Sequence, residues 1–238
     1  MNYVVLKIIA IIFMIIDHIG FVLCNNDFTL RCIGRLAFPI FSFLIVNGFY
    51  HTKSKFKYLW RLGLFAIISE PIFDLGFFGS LFDLNNQNVF FTLFLGVLLI
   101  TILNNLSITI KEKEGDNIWT KLIYGLLAFW FIGLFASLNY TMNADYGWFG
   151  ILVIVLFYYT YESSILNKVM MFIGLLVINI LYIYDGNSNI EILSMLSLIP
   201  IYLFKDKKVE VSKPLKYFFY IFYPLHILII YLAKILFL

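Results

Sequence analysis

The chain has 238 residues, of which 62% are hydrophobic, 20% aromatic and only 13% charged, and its mean hydropathy is +0.93. A water-soluble domain of this length could not bury so much apolar surface, so the composition excludes that class and predicts a polytopic membrane protein. The formal net charge of +3 comes from short loops and excludes the strongly basic surface typical of nucleic-acid binding.

Hydropathy predicts an all-α transmembrane helix bundle of about nine spans, forming a single domain over residues 1–238. The predicted spans lie near 4–24, 30–50, 57–75, 88–105, 118–137, 146–161, 166–184, 189–204 and 216–237. The first span is too long for a signal-peptide core and has no small-residue cleavage site, so we expect it to be retained.

Every second loop of this predicted bundle is rich in lysine. These lysines are Lys53, Lys55, Lys57, Lys111, Lys113, Lys121, Lys168, Lys205, Lys207, Lys208, Lys213 and Lys216. The intervening loops contain neither lysine nor arginine. Because short cytoplasmic loops are enriched in these residues, the pattern places the N-terminus in the cytoplasm and the C-terminus outside.

Asp17 and His18 lie inside the first span, where a mid-helix charge costs roughly 2.5–3.5 kcal/mol and usually faces a bundle interior. An imidazole beside a carboxylate is the arrangement that a general base needs. Helical neighbours point about 100° apart, so Asp17 either orients His18 or pairs instead with Arg35 of the second span.

Further polar groups are predicted at the same outer level of the membrane, with His226 of the last span placed deeper. They are Arg31 and Arg35, Glu70 and Asp74, and Asn88 and Thr92. Pro39, Pro71 and Pro224 interrupt the same helices, which is tolerated where a helix lines a wet cavity. The pattern predicts a polar cavity, and the alternative is a structural ion-pair network of Arg35, Glu70 and Asp74.

Two smaller features stay open at this point. His51 and Arg61 lie near the cytoplasmic lysines and serve either as interfacial residues or to attract an anionic donor. Cys24 and Cys32 have no metal-type spacing, so we predict no metal site and favour free thiols over a disulfide.

Seven stretches make the chain recognisable. They are LKIIAIIFMIIDHIG at Leu6–Gly20, IGRLAFPIFSF at Ile33–Phe43, GFYHT at Gly48–Thr52, YLWRL at Tyr58–Leu62, SEPIFD at Ser69–Asp74, NVFFTLFLG at Asn88–Gly96 and YPLH at Tyr223–His226. They resemble the TraX family of integral membrane proteins, named after the conjugation protein that acetylates the N-terminus of F-type pilin. The DHIG and GRLAFP motifs, in that order, are the most specific part of the resemblance.

The resemblance implies a multi-pass acyltransferase of the cytoplasmic membrane that uses acetyl-coenzyme A and an intramembrane histidine. We expect acetyl transfer to an amine or hydroxyl acceptor at the outer face, with His18 as general base and Asp17 orienting it. Arg35 is the expected cation for the thioester oxyanion or the donor phosphates. His226 is expected to be a second base or to position the donor, Tyr223 of the same YPLH motif to lie beside it, and Asn88 to lie in the cavity wall.

Two other classes of function fit the same residues. A proton-coupled transporter or flippase would use Asp17, His18, Arg35 and Glu70 as a proton relay, and a membrane scaffold would use none of them. Coenzyme A separates these classes, because only an acyltransferase is expected to bind acetyl-coenzyme A and hydrolyse it slowly.

Overall fold

The computed structural model describes residues 1–205 and 213–237, which form an all-α bundle and confirm the predicted fold class. The helices are α1 (Tyr3–Val22), α2 (Phe28–Gly34), α3 (Ala37–His51), α4 (Lys55–Phe78), α5 (Val89–Glu114), α6 (Ile118–Thr141), α7 (Gly147–Tyr159), α8 (Ile165–Tyr184), a 3-10 helix (Asn189–Ser197), α9 (Leu198–Tyr202) and α10 (Lys213–Phe237).

Each predicted span coincides with one helical stretch of this bundle. Six stretches in the described part of the chain are long and apolar enough to cross a membrane, and Phe28–His51, which contains α2 and α3, counts as one of them. Helix α7 and the stretch Asn189–Tyr202 are apolar but shorter. At about 1.5 Å per residue, the 13 residues of α7 extend only about 20 Å, less than a typical hydrocarbon core.

Helix boundaries follow local capping chemistry. The Ser54 hydroxyl accepts a hydrogen bond from Lys57 N at the start of α4. Asn117 and Thr120 form a capping box at the start of α6. Helix α4 ends at Gly79, whose φ of 72° is a left-handed conformation that favours glycine. Polar side chains and a glycine between the apolar stretches therefore set these three helix ends.

The loops fall into two groups at opposite ends of the helices. At the lysine-poor end, Gln87 N donates to Asn143 O at 3.0 Å, and Asp145 N donates to Gln87 O at 2.9 Å. At the lysine-containing end, Lys205 N donates to Met1 O at 2.9 Å. These contacts join lysine-poor loops at one end and lysine-containing segments at the other, as the alternating lysine content predicts. Of the predicted cytoplasmic lysines, Lys207 and Lys208 lie outside the described residues.

Helix α3 is central and α6 is peripheral. In the most apolar window of Phe28–His51, 67% of the residues are buried, against 17% for Ile118–Thr141 and 22% for Ile165–Tyr184. The exposed apolar side chains of α6 and α8 therefore form a lipid-facing surface. Helices α1, α4 and α10 pack together beside α3, and a methyl group at Gly76 would contact Ile227, so α4 and α10 approach closely there.

Membrane orientation can be tested with single cysteines in a variant lacking Cys24 and Cys32. Ser188→Cys, at the lysine-poor end, is expected to react with an impermeant maleimide in intact cells. Ser163→Cys, at the lysine-containing end, should react only after the membrane is opened. Cys24 alone, which is exposed, is a native control for the first pattern. Labelling in the opposite order would place the N-terminus outside.

Candidate functional site

Two histidines from opposite ends of the sequence form a hydrogen-bonded pair. His18 Nδ1 lies 2.8 Å from His226 Nε2, and the two ring planes are 13° from parallel with centroids 4.9 Å apart. His226 Nδ1 also lies 2.9 Å from the carbonyl oxygen of Phe222. The sequence analysis placed His226 deeper than His18, and that expectation is wrong: α10 brings it to the same level.

The hydrogen bonds assign the tautomers of the neutral pair. A carbonyl oxygen only accepts, so His226 carries its proton on Nδ1 and presents Nε2 as an acceptor. His18 must then donate from Nδ1, which leaves its Nε2 with a free lone pair. That nitrogen has no hydrogen-bond partner among the described residues. The pair therefore contains one oriented base, His18, and one residue that orients it, His226.

Aromatic rings enclose the histidine pair. Phe77 meets the His18 ring edge-on at 5.0 Å, and Phe222 stacks on His226 at 5.3 Å. Tyr223 lies 6.4 Å from the His18 ring and 5.7 Å from the His226 ring. The YPLH motif thus supplies one histidine and part of its aromatic wall.

Asp17 belongs to an ion-pair network and not to the histidine pair. Its carboxylate accepts from Arg31 at 2.5 Å and from Arg35 at 2.6 Å. Arg35 also donates to Glu191 of the 3-10 helix at 2.5 Å. Neighbouring positions on α1 point in different directions, so Asp17 faces α2 while His18 faces α4 and α10. Of the two arrangements considered for Asp17, the structure contains the pairing with Arg35.

Arg35 uses three of its five N–H donors on this network. Its Nε donates to Arg31 O at 3.3 Å, and its side chain is only 8% exposed. Its charge is therefore already paired with two carboxylates, and its expected role toward an oxyanion or a phosphate stays a prediction. Arg31 is more accessible, with 19% of its side chain exposed. The sequence analysis noted Arg31 without proposing it as a site residue, and it missed Glu191.

A cavity of ≈ 180 Å³ opens beside His18 and this network. It is lined by polar residues Asp17, His18, Arg31 and Arg35, by aromatic residues Phe21, Phe73, Phe77 and Phe78, and by loop residues Asn86, Gln87, Asn143, Asp145 and Tyr146. The loop residues come from the two lysine-poor loops that hydrogen-bond to each other. The cavity therefore lies at the end of the bundle predicted to be outer.

Asp145 in the α6–α7 loop adds a second carboxylate to the cavity lining, beside Asp17. Burial raises the pKa of Asp145 to about 6, because desolvation of the carboxylate outweighs the favourable effect of the Arg35 guanidinium. The neighbouring Tyr146 has a φ of 66°, a left-handed conformation uncommon for a side chain of this size. Asp17, Glu191 and Asp145 face two guanidiniums, so the cavity carries no excess of positive charge.

Glu70, Asp74 and Asn88 do not line this cavity, contrary to expectation. Asn88 caps α5 and donates to both Ala66 O and the Glu70 carboxylate. Asp74 accepts from Asp83 N at 2.8 Å. These side chains fix the α4–α5 loop, which in turn supplies cavity residues.

His51 and Arg61 lie at the opposite end of the bundle from the cavity. His51 Nδ1 is 2.9 Å from Asn47 O. The Arg61 guanidinium lies 5.9 Å from the centre of the Tyr58 ring. Neither residue lines the cavity beside His18, and their expected attraction of an anionic donor stays a prediction.

Gly34 permits the close approach of α1 and α2 at the ion-pair network. A Cβ at this position would collide with the Asp17 side chain. Gly34→Ala is expected to lower stability by about 1–3 kcal/mol, the usual cost of overpacking, and to displace Asp17 from its arginines. Gly133→Ala on α6 is the matched control, because nothing lies within 4 Å of the added carbon. Equal unfolding temperatures for the two variants would contradict this packing.

The fold and site define a polytopic helical membrane protein with an oriented histidine beside a polar cavity. The chain belongs to the TraX family, since the family model described as TraX protein matches residues 3–234. It is also similar to a probable fimbrial assembly protein, FimC of serogroup H1, from Dichelobacter nodosus. The two are 36% identical over 123 residues, which cover 44% of this chain and 48% of that protein. The matched region thus spans about half of the relative's length. No solved structure matches the chain.

Proposed function

We propose that this TraX-family protein is a membrane acyltransferase that moves an acetyl group from acetyl-coenzyme A to an amine or hydroxyl acceptor. The observation that carries the proposal is the hydrogen-bonded series from His18 Nδ1 through His226 to the Phe222 carbonyl. This series leaves His18 Nε2 as a free base beside a cavity, as general-base catalysis requires.

Each of these groups has a role in the proposed reaction. The acceptor nitrogen or oxygen attacks the thioester carbonyl while His18 Nε2 takes its proton. The carbonyl carbon–sulfur bond then breaks, and the departing thiolate receives that proton. Arg31 is the accessible cation for the oxyanion, while Arg35 holds Asp17 and Glu191 in place.

The relative's name suggests the first acceptor to test. A fimbrial or pilus subunit presents an N-terminal amine and is exported through the cytoplasmic membrane, where cytoplasmic acetyl-coenzyme A is available. The cavity lies at the end predicted to be outer, so the acceptor would enter from that side and the acyl arm from the other.

Release of free thiol from acetyl-coenzyme A tests this function. The full-length protein, in nanodiscs of phosphatidylcholine, is expected to hydrolyse acetyl-coenzyme A slowly and to accelerate when a peptide with a free N-terminal amine is added. A proton-coupled transporter or a scaffold would leave acetyl-coenzyme A unchanged under both conditions, and that result would overturn the proposal.

A further inference from the structure

Two cations at the lysine-containing end of the bundle lie beside tyrosine side chains. Lys7 Nζ is 3.2 Å from the Tyr3 hydroxyl and 5.9 Å from the centre of the Tyr220 ring. The Arg61 guanidinium lies 5.9 Å from the centre of the Tyr58 ring, and Tyr220 lies on the neighbouring helix α10. We call these five residues the basic-tyrosine cluster.

The charges of this cluster are not balanced within the described part of the chain. Neither Lys7 nor Arg61 has a carboxylate within 4 Å there, and Arg61 Nε is buried without a hydrogen-bond partner. The arginines beside the cavity, in contrast, are paired with Asp17 and Glu191. Half-buried cations without a paired carboxylate are costly in a membrane protein, so they indicate an anionic partner.

We propose that the basic-tyrosine cluster binds the phosphate groups of the acyl donor, an inference that rests on the proposed acyltransferase function. A guanidinium provides paired donors to phosphate oxygens, an ammonium provides a point charge, and tyrosine hydroxyls add neutral donors. Lys55, Lys57, Lys168 and Lys205 lie at the same end and would attract a polyanion toward it.

The same three helices connect this cluster to the histidine pair. Helix α1 carries Lys7 and His18, which are about 16 Å apart along the helix at 1.5 Å per residue. Helix α10 carries Tyr220 and His226, about 9 Å apart. Between its phosphate and its sulfur, the 4'-phosphopantetheine arm of coenzyme A has about 13 bonds, or roughly 16 Å when extended at the spacing of a polypeptide backbone. A donor anchored at the cluster could therefore extend its thioester to His18 between α1, α4 and α10.

Coenzyme A affinity tests the site in the full-length protein in phosphatidylcholine nanodiscs. Lys7→Met and Arg61→Gln are each expected to weaken coenzyme A binding by about tenfold or more, as loss of a charged hydrogen bond does. Binding of pantetheine, which has no phosphate, should not change. The control Lys113→Met removes an exposed charge elsewhere at the lysine-containing end and should bind coenzyme A like the wild type. Both site variants should raise the KM for acetyl-coenzyme A by more than they lower kcat.

Other outcomes separate this site from the proposed function and from a lipid site. Variants that bind coenzyme A like the wild type but retain less added phosphatidylglycerol would overturn the proposal in favour of a lipid headgroup. If the wild type binds inorganic pyrophosphate through Lys7 and Arg61 but ignores coenzyme A, the anion site stands and the acyltransferase function fails. If the wild type is catalytically active and both variants bind coenzyme A as tightly as it does, the proposed phosphate site is wrong and the acyltransferase function stands.

Discussion

His18→Gln is expected to lose about 10²- to 10⁴-fold of acetyl transfer per folded protein, the usual contribution of a general base. Glutamine keeps the size and some hydrogen bonding of the imidazole but cannot accept and release a proton. His18→Ala should be similarly inactive, and coenzyme A binding should survive in both, because the loss lies in the chemical step. Near-normal turnover by His18→Gln would assign the base elsewhere, with His226 as the first candidate.

His226 is expected to behave as a positioning residue and not as a base. Its Nε2 accepts from His18, so His226→Gln, whose side-chain oxygen also accepts, should retain more activity than His226→Leu. The measurement is the rate of acetyl transfer as a function of pH, read beside the thermal stability of each variant. A merely structural His226 would give parallel losses of stability and rate, with no change in the pH profile.

The helical organisation was predictable because it depends on local composition. Every predicted span coincides with a helical stretch, and the alternating lysine content matches the two groups of loops. Asp17 and His18 stood out because ionisable groups are costly inside an apolar helix. The assignment of all nine stretches as full crossings goes beyond the structure, which contains six of sufficient length and apolar content in its described part.

The partners of those residues were harder to predict, since they depend on how helices are offset. Counting residues along α10 gives the depth of His226 only if the level at which the helix begins is known. Without that level, the residue count placed His226 too deep. The position of Asp17 on α1 allowed two partners, and only the approach of α2, permitted by Gly34, selects its arginines. Sequence spacing within one helix carries no information on that approach.

Glu191 was missed because its segment is a 3-10 helix. Glu191, Ser194 and Ser197 recur every three residues and all are buried, which is one face of a helix with three residues per turn. A search for α-helical periodicity of 3.6 residues does not detect such a face. The sequence signal available for Glu191 was a charged residue near one end of an apolar segment, which is the same signal that identified Asp17.

Arg35→Met is expected to destabilise the protein by about 3–5 kcal/mol, since it leaves two buried carboxylates without their shared cation. Arg35→Lys keeps the charge, but one ammonium cannot reproduce the fork that contacts Asp17 and Glu191 at once, so it should recover only part of the stability. The free energy of unfolding, measured by denaturant titration in detergent micelles, gives both values. If Arg35→Lys is as stable as the wild type, the network depends on the charge of Arg35 and not on its forked donors.

The double variant Arg35→Met with Glu191→Met distinguishes an unpaired charge from lost packing. Removing Glu191 as well leaves Asp17 paired with Arg31, so the double variant is expected to be more stable than Arg35→Met alone. Acetyl transfer should recover with stability if the network only holds α1, α2 and the 3-10 helix together. Stability that recovers while transfer stays low would assign Arg35 a part in the reaction itself, through the field it exerts on the cavity beside His18.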